Sequence, residues 1–227
     1  LEAGSWTSGL LGVGLLLLAT TAEADVMVWT RWETSLTSSA SYANPYAEVT
    51  VSVTYTGPGG ETVAAHGFWD GGNTFRLRVM FPKTGVWSWR TTCSDTANTG
   101  LHNRTGTVTV TAYTGANPLY QRGYLKVSGD KRYLTYGNGT PFLWLGDTAW
   151  MGPIAATQAE WESYVQKRKS QKFTVIQVGA GPGFSQITKD RNNNTPFTGS
   201  SASLVLNPVY WREVERKVQY ANDQGLL

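Results

Sequence analysis

The sequence has 227 residues, of which 41% are hydrophobic and 15% charged, a composition that predicts a folded rather than a disordered chain. The formal net charge is +3, but the 19 Lys and Arg residues are scattered, so no nucleic-acid partner is expected. One cysteine, Cys93, and two histidines exclude an intrachain disulfide and a cysteine-based zinc cluster. We therefore expect no metal site and no cofactor.

An apolar run lies near the start of the chain. Leu10–Thr21 is too short to span a bilayer comfortably, and Ala22-Glu23-Ala24 follows it with the small-x-small pattern that suits signal peptidase. We therefore predict a signal peptide over residues 1–24, a secreted or periplasmic/extracellular location and no integral membrane span. A buried core helix is the alternative interpretation.

Residues 25–113 alternate short β-rich runs with turn residues, which predicts an all-β, immunoglobulin-like sandwich without a helix. Within it, Asp70-Gly71-Gly72-Asn73 predicts a hairpin. Alternation places two apolar sets each on one face of a strand. They are Val49, Val51, Val53 and Tyr55 in one run, and Phe75, Leu77, Val79 and Phe81 in the other. The remaining predicted strands are Val28–Glu33, Thr62–Trp69, Val86–Thr92 and Thr105–Thr111.

The tryptophans of this segment have two possible roles, because such side chains either fill a core or present flat faces to sugars. Five are concerned: Trp29, Trp32, Trp69, Trp87 and Trp89. A planar exposed row would favour a non-catalytic carbohydrate- or matrix-binding module, whereas burial between sheets would favour a core. Core is the preferred interpretation for most of them. A third interpretation makes the sandwich a structural spacer that packs on the domain after it.

From residue 114 the pattern changes to strand, helix, strand, helix after an initial hairpin, which predicts a parallel α/β arrangement. Phe142–Gly146 and Phe173–Gly179 are apolar runs typical of strands that are buried on both faces. The first predicted helix covers about residues 158–171, and the second covers Pro208–Asp223. The apolar positions of the second are expected to be Val209, Trp211, Val214 and Val218.

The ends of these helices carry recognisable signals. Thr157 with Glu160 predicts a capping box at the start of the first, and Gly225 is placed to end the second. Two strand–helix units do not close a barrel. Residues 114–227 are therefore predicted to be the truncated start of a (β/α)8 TIM barrel in a multidomain protein, and the chain to be its N-terminal fragment.

Two segments carry a family resemblance. Thr140–Trp150 (TPFLWLGDTAW) resembles the opening barrel strand of the apiosidase-like glycoside hydrolases, and Lys172–Gln177 resembles their second strand. Motifs upstream, such as Gly67–Gly71 and Gly85–Trp89, resemble a β-sandwich domain that commonly precedes those barrels and is sometimes described as collagen-binding or collagenase-associated. The resemblance covers nearly everything after the export segment.

The resemblance implies a secreted glycoside hydrolase that acts on polysaccharide or oligosaccharide side chains, with plant-wall polysaccharides as the implied target. Such enzymes use two carboxyl groups, which the resemblance places at the ends of the fourth and seventh strands, beyond residue 227. Four acidic residues lie instead on the predicted helices and are expected to be surface charges: Glu160, Glu162, Glu213 and Glu215. No catalytic residue is assigned in this chain.

Three residues are candidates for substrate binding, because function in such barrels collects at the carboxyl ends of the strands. Asp147 could accept hydrogen bonds from sugar hydroxyls or cap a turn. Trp150 could stack on a sugar ring or pack over the barrel mouth. Gln177 could line the substrate floor or tie neighbouring strands together by a buried amide hydrogen bond.

Overall fold

The structure is a computed structural model that describes residues 26–181 and 188–227. The predicted signal peptide lies outside the described residues. Within these residues, no helix is both long enough and apolar enough to cross a membrane. β-Sheet is the main regular structure.

Residues 26–111 form two sheets. Their strands are β1 (Val26–Met27), β2 (Arg31–Thr37), β3 (Val51–Thr56), β4 (Thr62–His66), β5 (Phe68–Trp69), β6 (Thr74–Met80), β7 (Gly85–Cys93) and β8 (Thr105–Thr111). One sheet has the order β1-β8-β7-β3-β4 and the other β2-β6-β5. All pairings are antiparallel except that of β1 with β8. A one-turn helix, α1 (Pro45–Glu48), precedes β3, so the prediction of no helix was wrong.

The two sheets share one core. The predicted alternation is confirmed, since both apolar sets, which lie in and directly beside β3 and β6, are buried, with Tyr55, Leu77 and Phe81 fully so. Trp32, Trp87 and Trp89 belong to the same core. Each large apolar side chain buried in this way stabilises the fold by about 1.5–3 kcal/mol.

Two strand predictions needed correction. Val28–Glu33 is not continuous, because the chain turns at Trp29 (φ 63°) before β2 begins. Thr62–Trp69 divides at Gly67 into β4 of one sheet and β5 of the other. A Cβ on Gly67 would lie 3.1 Å from Leu77 and 3.2 Å from Val51, so the crossing depends on a close approach that glycine allows. The predicted hairpin at Asp70–Asn73 is confirmed between β5 and β6.

Residues 112–227 contain a small antiparallel sheet, a parallel strand pair and several helices. In chain order, the elements of this part are α2 (Pro118–Arg122), β9 (Leu125–Val127), β10 (Leu134–Tyr136), β11 (Pro141–Phe142), β12 (Gly146–Thr148), α3 (Gly152–Ala155), α4 (Gln158–Ser170), β13 (Val175–Gln177), β14 (Phe197–Ser200), β15 (Ser203–Leu206) and α5 (Pro208–Asp223). β11, β10 and β9 form the antiparallel sheet, and β12 pairs with β13 in parallel. The predicted strand, helix, strand, helix order is confirmed. Closure into a barrel and the immunoglobulin-like class of the first part stay predictions.

The helix-end signals are confirmed. Thr157 and Glu160 form a complete capping box at the start of α4. At the end of α5, Gly225 has φ 86°, and the amide of Leu226 donates to the carbonyl of Ala221 while that of Gly225 donates to Asn222. This is the Schellman arrangement, in which glycine tolerates the left-handed position at little cost.

Three predictions for this part were wrong. Phe142–Gly146 is not one buried strand, because Leu143–Leu145 connects β11 to β12 and is exposed, Leu143 by 72%. On α5, Val209 and Val218 are exposed. Val214 is buried as predicted, in a row with Tyr210, Lys217 and Ala221. Finally, β14 and β15 form a hairpin in a segment where no strand was predicted.

The two parts of the chain touch through charged and polar groups. Arg212 on α5 pairs with Asp70, at 2.7 Å between Nε and Oδ1, and Arg78 on β6 pairs with Glu215 on α5. Asn44 donates to the carbonyl of Leu204 at 2.9 Å. The domain boundary at residue 113 and the packing of a sandwich on a barrel in the whole protein remain predictions.

Candidate functional site

The carboxyl ends of β12 and β13 form one edge of the parallel pair. The register aligns Gly146 with Val175, Asp147 with Ile176 and Thr148 with Gln177. In parallel α/β folds the loops that leave this edge carry the functional groups. All three sequence-predicted site residues lie at this edge or in the loop directly after it.

Asp147 lies on the helix side of the strand pair. Its register partner, Ile176, packs with Trp161 and Val165 of α4. The Oδ2 atom of Asp147 accepts a hydrogen bond from the hydroxyl of Tyr164 at 2.7 Å and a second from Nε of Arg168. Two α4 side chains thus occupy one carboxylate oxygen and fix the orientation of the group.

The same contacts set the charge state of this cluster. Hydrogen bonds from Tyr164 and then from Arg168 hold the pKa of Asp147 below its usual value. Burial, together with the bond to Asp147, raises the pKa of Tyr164 to about 12. Arg168 also lies over the rings of Tyr164 and Phe173, at 5.0 and 5.4 Å from their centroids. Asp147 is therefore a fixed anion at neutral pH and is poorly suited to act as a general acid.

Gln177 and its register partner Thr148 lie on the opposite side from Asp147, because neighbouring residues of a strand alternate between faces. Gln177 is exposed, so it does not form the buried amide bond considered as one of its roles. Its carbonyl accepts the amide of Ala149 at 2.8 Å. This bond ties the end of β13 to the loop that follows β12.

Trp150 lies in that loop and is 48% exposed. Its carbonyl accepts the amide of Gly179 at 2.7 Å, so the loops after β12 and β13 are bonded at a second point. The backbone on both sides of Trp150 is therefore held to β13 and its continuation. This arrangement places the backbone of Trp150 beside the same edge as Gln177.

Lys217 holds the end of α3, the short helix that follows the Trp150 loop, a role that the sequence reasoning missed. Its side chain is completely buried, and its Nζ donates to the carbonyls of Pro153 at 2.9 Å and Ala156 at 2.5 Å. It also pairs with Glu213 at 3.2 Å. The spacing of Glu213 and Lys217, four residues apart on one helix, was a usable signal for the pair.

The helix carboxylates are only partly the surface charges that were predicted. Glu160 is taken up in the capping box, and Glu162 accepts from Gln158 at 2.6 Å. Glu213 is largely buried, with 18% of its side chain exposed, and Glu215 pairs with Arg78 of the other part. Among the described residues, no group of three or more His, Cys, Asp or Glu side chains could hold a metal ion.

The fold is shared with a protein from Bacteroides vulgatus ATCC 8482 that is described as a presumed glycoside hydrolase. The TM-score is 0.72 at 24% identity, and the alignment covers 90% of this chain and 40% of that one. Two further structures align over about half of this chain. One is described as a glycoside hydrolase (27% identity, TM-score 0.40, 26% of its length) and the other as a glycoside hydrolase family 5 protein from Bacteroides vulgatus ATCC 8482 (26%, 0.41, 24%). The chain thus spans less than half the length of these proteins.

The comparison with protein families is more specific than the comparison with solved structures. Residues 128–227 match the family described as "Apiosidase-like, catalytic domain", in agreement with the resemblance that the motifs of this segment carry. Residues 25–94 match a "Domain of unknown function (DUF5060)", which leaves collagen binding a prediction. A comparison with curated proteins gives no significant match.

Proposed function

We propose that the whole protein is a secreted glycoside hydrolase that acts on polysaccharide or oligosaccharide side chains through two-carboxylate acid/base chemistry. The observation that supports this most is the match of residues 128–227 to the apiosidase-like catalytic domain. In this proposal residues 1–24 are a signal peptide, residues 25–113 an immunoglobulin-like accessory domain, and residues 114–227 the start of a (β/α)8 barrel.

The substrate side of the proposed site is the face that carries Gln177. Trp150, with its exposed indole, offers a flat surface to a sugar ring, and the Gln177 amide both donates and accepts hydrogen bonds to hydroxyls. Asp147 is held by Tyr164 and Arg168. We assign it mainly to positioning, because it fixes the strand end from which the Trp150 loop departs.

The acid and the nucleophile or base are proposed to come from parts of the protein outside the described residues. Within β12 and β13, Asp147 is the one carboxylate, and glycoside hydrolysis requires a pair flanking the scissile bond. The matched structure of a presumed glycoside hydrolase is more than twice as long as the part this chain covers. Its additional length is consistent with such a division.

The test is a hydrolysis assay with the protein expressed from the complete open reading frame. Plant-wall polysaccharides that carry sugar side chains are incubated with the protein, and released sugars are quantified. We expect Trp150→Ala and Gln177→Ala each to lower kcat/KM about tenfold or more, the loss of roughly one good contact. Tyr133→Ala removes an equally exposed aromatic from the hairpin of β9 and β10 and should leave kcat/KM unchanged. No sugar release from any of these substrates would refute the proposal.

The alternative is a non-catalytic carbohydrate- or matrix-binding sandwich, and its simplest version requires an exposed row of tryptophans. Trp32, Trp87 and Trp89 lie in the core, so they cannot form an exposed row of tryptophans. Trp69 is half-buried at the margin of the sandwich.

A further inference from the structure

A cleft of about 590 Å³ opens where the two parts of the chain meet. We call it the junction cleft and define it by Tyr46, Phe68 and Trp69 on one side and by Trp211 and Glu215 of α5 on the other. Its volume lies within the range of about 300–1,000 Å³ typical of small-ligand sites. Its lining includes none of the three candidate substrate-binding residues at the edge of β12 and β13.

The aromatic rings of the cleft are held in fixed orientations. The indole of Trp69 donates to the carbonyl of Gly72 at 2.8 Å, and that of Trp211 donates to the carbonyl of Pro196 at 2.9 Å. Their polar atoms are thus satisfied inside the protein, so what the rings offer to a ligand is their apolar surface. Tyr46 is 53% exposed and adds a ring on the sandwich side.

The charged groups of the cleft neutralise one another. Asp70 lies between Arg76 and Arg212, and Glu215 pairs with Arg78. Burial acts to raise the pKa of Asp70, but hydrogen bonds from Arg212 and Arg76 hold it below its usual value. The carboxylate therefore stays charged and paired at neutral pH.

The paired side chains of Glu215 and Arg212 can still form hydrogen bonds with a ligand. Glu215 has 36% of its side chain exposed and Arg212 has 52%. One oxygen of Glu215 is bonded to Arg78, and the other has no partner among the residues that the structure describes. Planar carboxylate and guanidinium groups beside aromatic rings match a ligand with apolar faces and hydroxyl edges.

These features select one class of occupant. A sugar ring has a face rich in C–H groups and an edge of hydroxyls. A charged ligand would have to compete with the ion pairs already formed, whereas a neutral one would not. A purely apolar protein segment would leave the carboxylate and guanidinium groups desolvated without new partners, which is costly.

We propose that the junction cleft binds a neutral oligosaccharide. Trp69 and Tyr46 stack on its rings, and the carboxylate of Glu215 accepts hydrogen bonds from its hydroxyls. The cleft would thus be a second carbohydrate site, formed jointly by the sandwich and α5. It does not depend on the hydrolase proposal, because it concerns binding alone.

The test is isothermal titration calorimetry of the 227-residue chain with neutral hexasaccharides of glucose, xylose, mannose and galactose, and with hexagalacturonate as the anionic counterpart. We expect at least one neutral hexasaccharide to bind with a Kd of about 1 mM or tighter, and hexagalacturonate to bind at least about tenfold more weakly. Trp69→Ala and Tyr46→Ala should each weaken binding about tenfold. Trp69→Phe should retain most of it.

Matched controls separate the cleft from other exposed aromatics. Trp144 and Tyr133 are 58% and 50% exposed and lie outside the cleft, so Trp144→Ala and Tyr133→Ala should change Kd less than twofold. Thermal unfolding shows whether each variant is folded, and Tyr46→Ala, at an exposed position, keeps the test usable if Trp69→Ala does not fold.

Several results would overturn the proposal. They are the absence of binding to every neutral hexasaccharide, tighter binding of hexagalacturonate, and binding that survives both cleft substitutions but is lost in Trp150→Ala. A change of sedimentation coefficient on Trp69→Ala without any effect on sugar binding would instead identify a second copy of the chain as the occupant.

Discussion

Lys217→Met removes the ammonium group that holds the end of α3, the short helix after the Trp150 loop, while keeping most of the apolar stem. In the native protein this group serves the carbonyls of Pro153 and Ala156, which lie 64 and 61 residues away in sequence. The substitution leaves both carbonyls without this donor. An orphaned buried carbonyl costs about 1–3 kcal/mol, and the Ala156 carbonyl is only partly buried and should cost less.

The substitution also removes the ion pair between Lys217 and Glu213. Replacing a whole buried ion pair by apolar residues is often neutral or stabilising, but removing one partner is not. Glu213 keeps a second partner in Arg216, at 2.7 Å, so it is not stranded. We therefore expect Lys217→Met to lower the free energy of unfolding by about 2–3 kcal/mol, mainly through the two carbonyls.

Urea unfolding followed by tryptophan fluorescence measures this change. Lys167→Met is the matched control, since Lys167 is exposed on α4 and its replacement should stay within about 0.5 kcal/mol of the native value. The double variant Glu213→Gln/Lys217→Met should remain destabilised, because the carbonyls stay orphaned. A Lys217→Met variant as stable as the native protein, or full recovery in the double variant, would refute this reasoning.

Three further predictions concern the fold and the Asp147 cluster. Asp147 has a lowered folded pKa, so its contribution is fully present above its unfolded pKa of about 3.9 and is lost as the pH falls through the folded value. The stability difference between the native protein and Asp147→Asn should therefore shrink below about pH 4 in unfolding curves recorded at successive pH values, and a constant difference would contradict this. Trp87→Ala empties a fully buried position and should lower the free energy of unfolding by about 3–5 kcal/mol, whereas a loss under 1 kcal/mol in urea titrations would argue against this core. Thr157→Ala removes the side-chain cap of α4 and should cost about 1 kcal/mol in the same titrations, and an unchanged midpoint would show that the cap adds nothing.

Local patterns predicted much of the secondary structure. The alternation around Leu77 fixed which face of β6 is buried, and Thr157 with Glu160 located the start of α4 to the residue. Gly225 marked the end of α5. Each of these signals acts over a few residues, because it depends on the backbone period or on a bond within one turn.

Long-range contacts were not predictable in the same way. The contact of Lys217 with Pro153 depends on how α5 docks, and no periodic pattern encodes it. Leu143–Leu145 has the composition of a buried strand, yet its exposure depends on which elements lie beside it. For the site, the sequence identified the strand ends that carry Asp147 and Gln177, but not the bonds from α4 that hold the Asp147 carboxylate on the helix side.

The most direct test of the proposed substrate site is a crystal structure of the complete protein with an oligosaccharide product bound. We expect a sugar at the carboxyl edge of β12 and β13, in contact with Trp150 and Gln177, and flanked by two carboxylates from segments outside the described residues. A catalytic carboxylate pair located elsewhere, with no sugar at this edge, would contradict it.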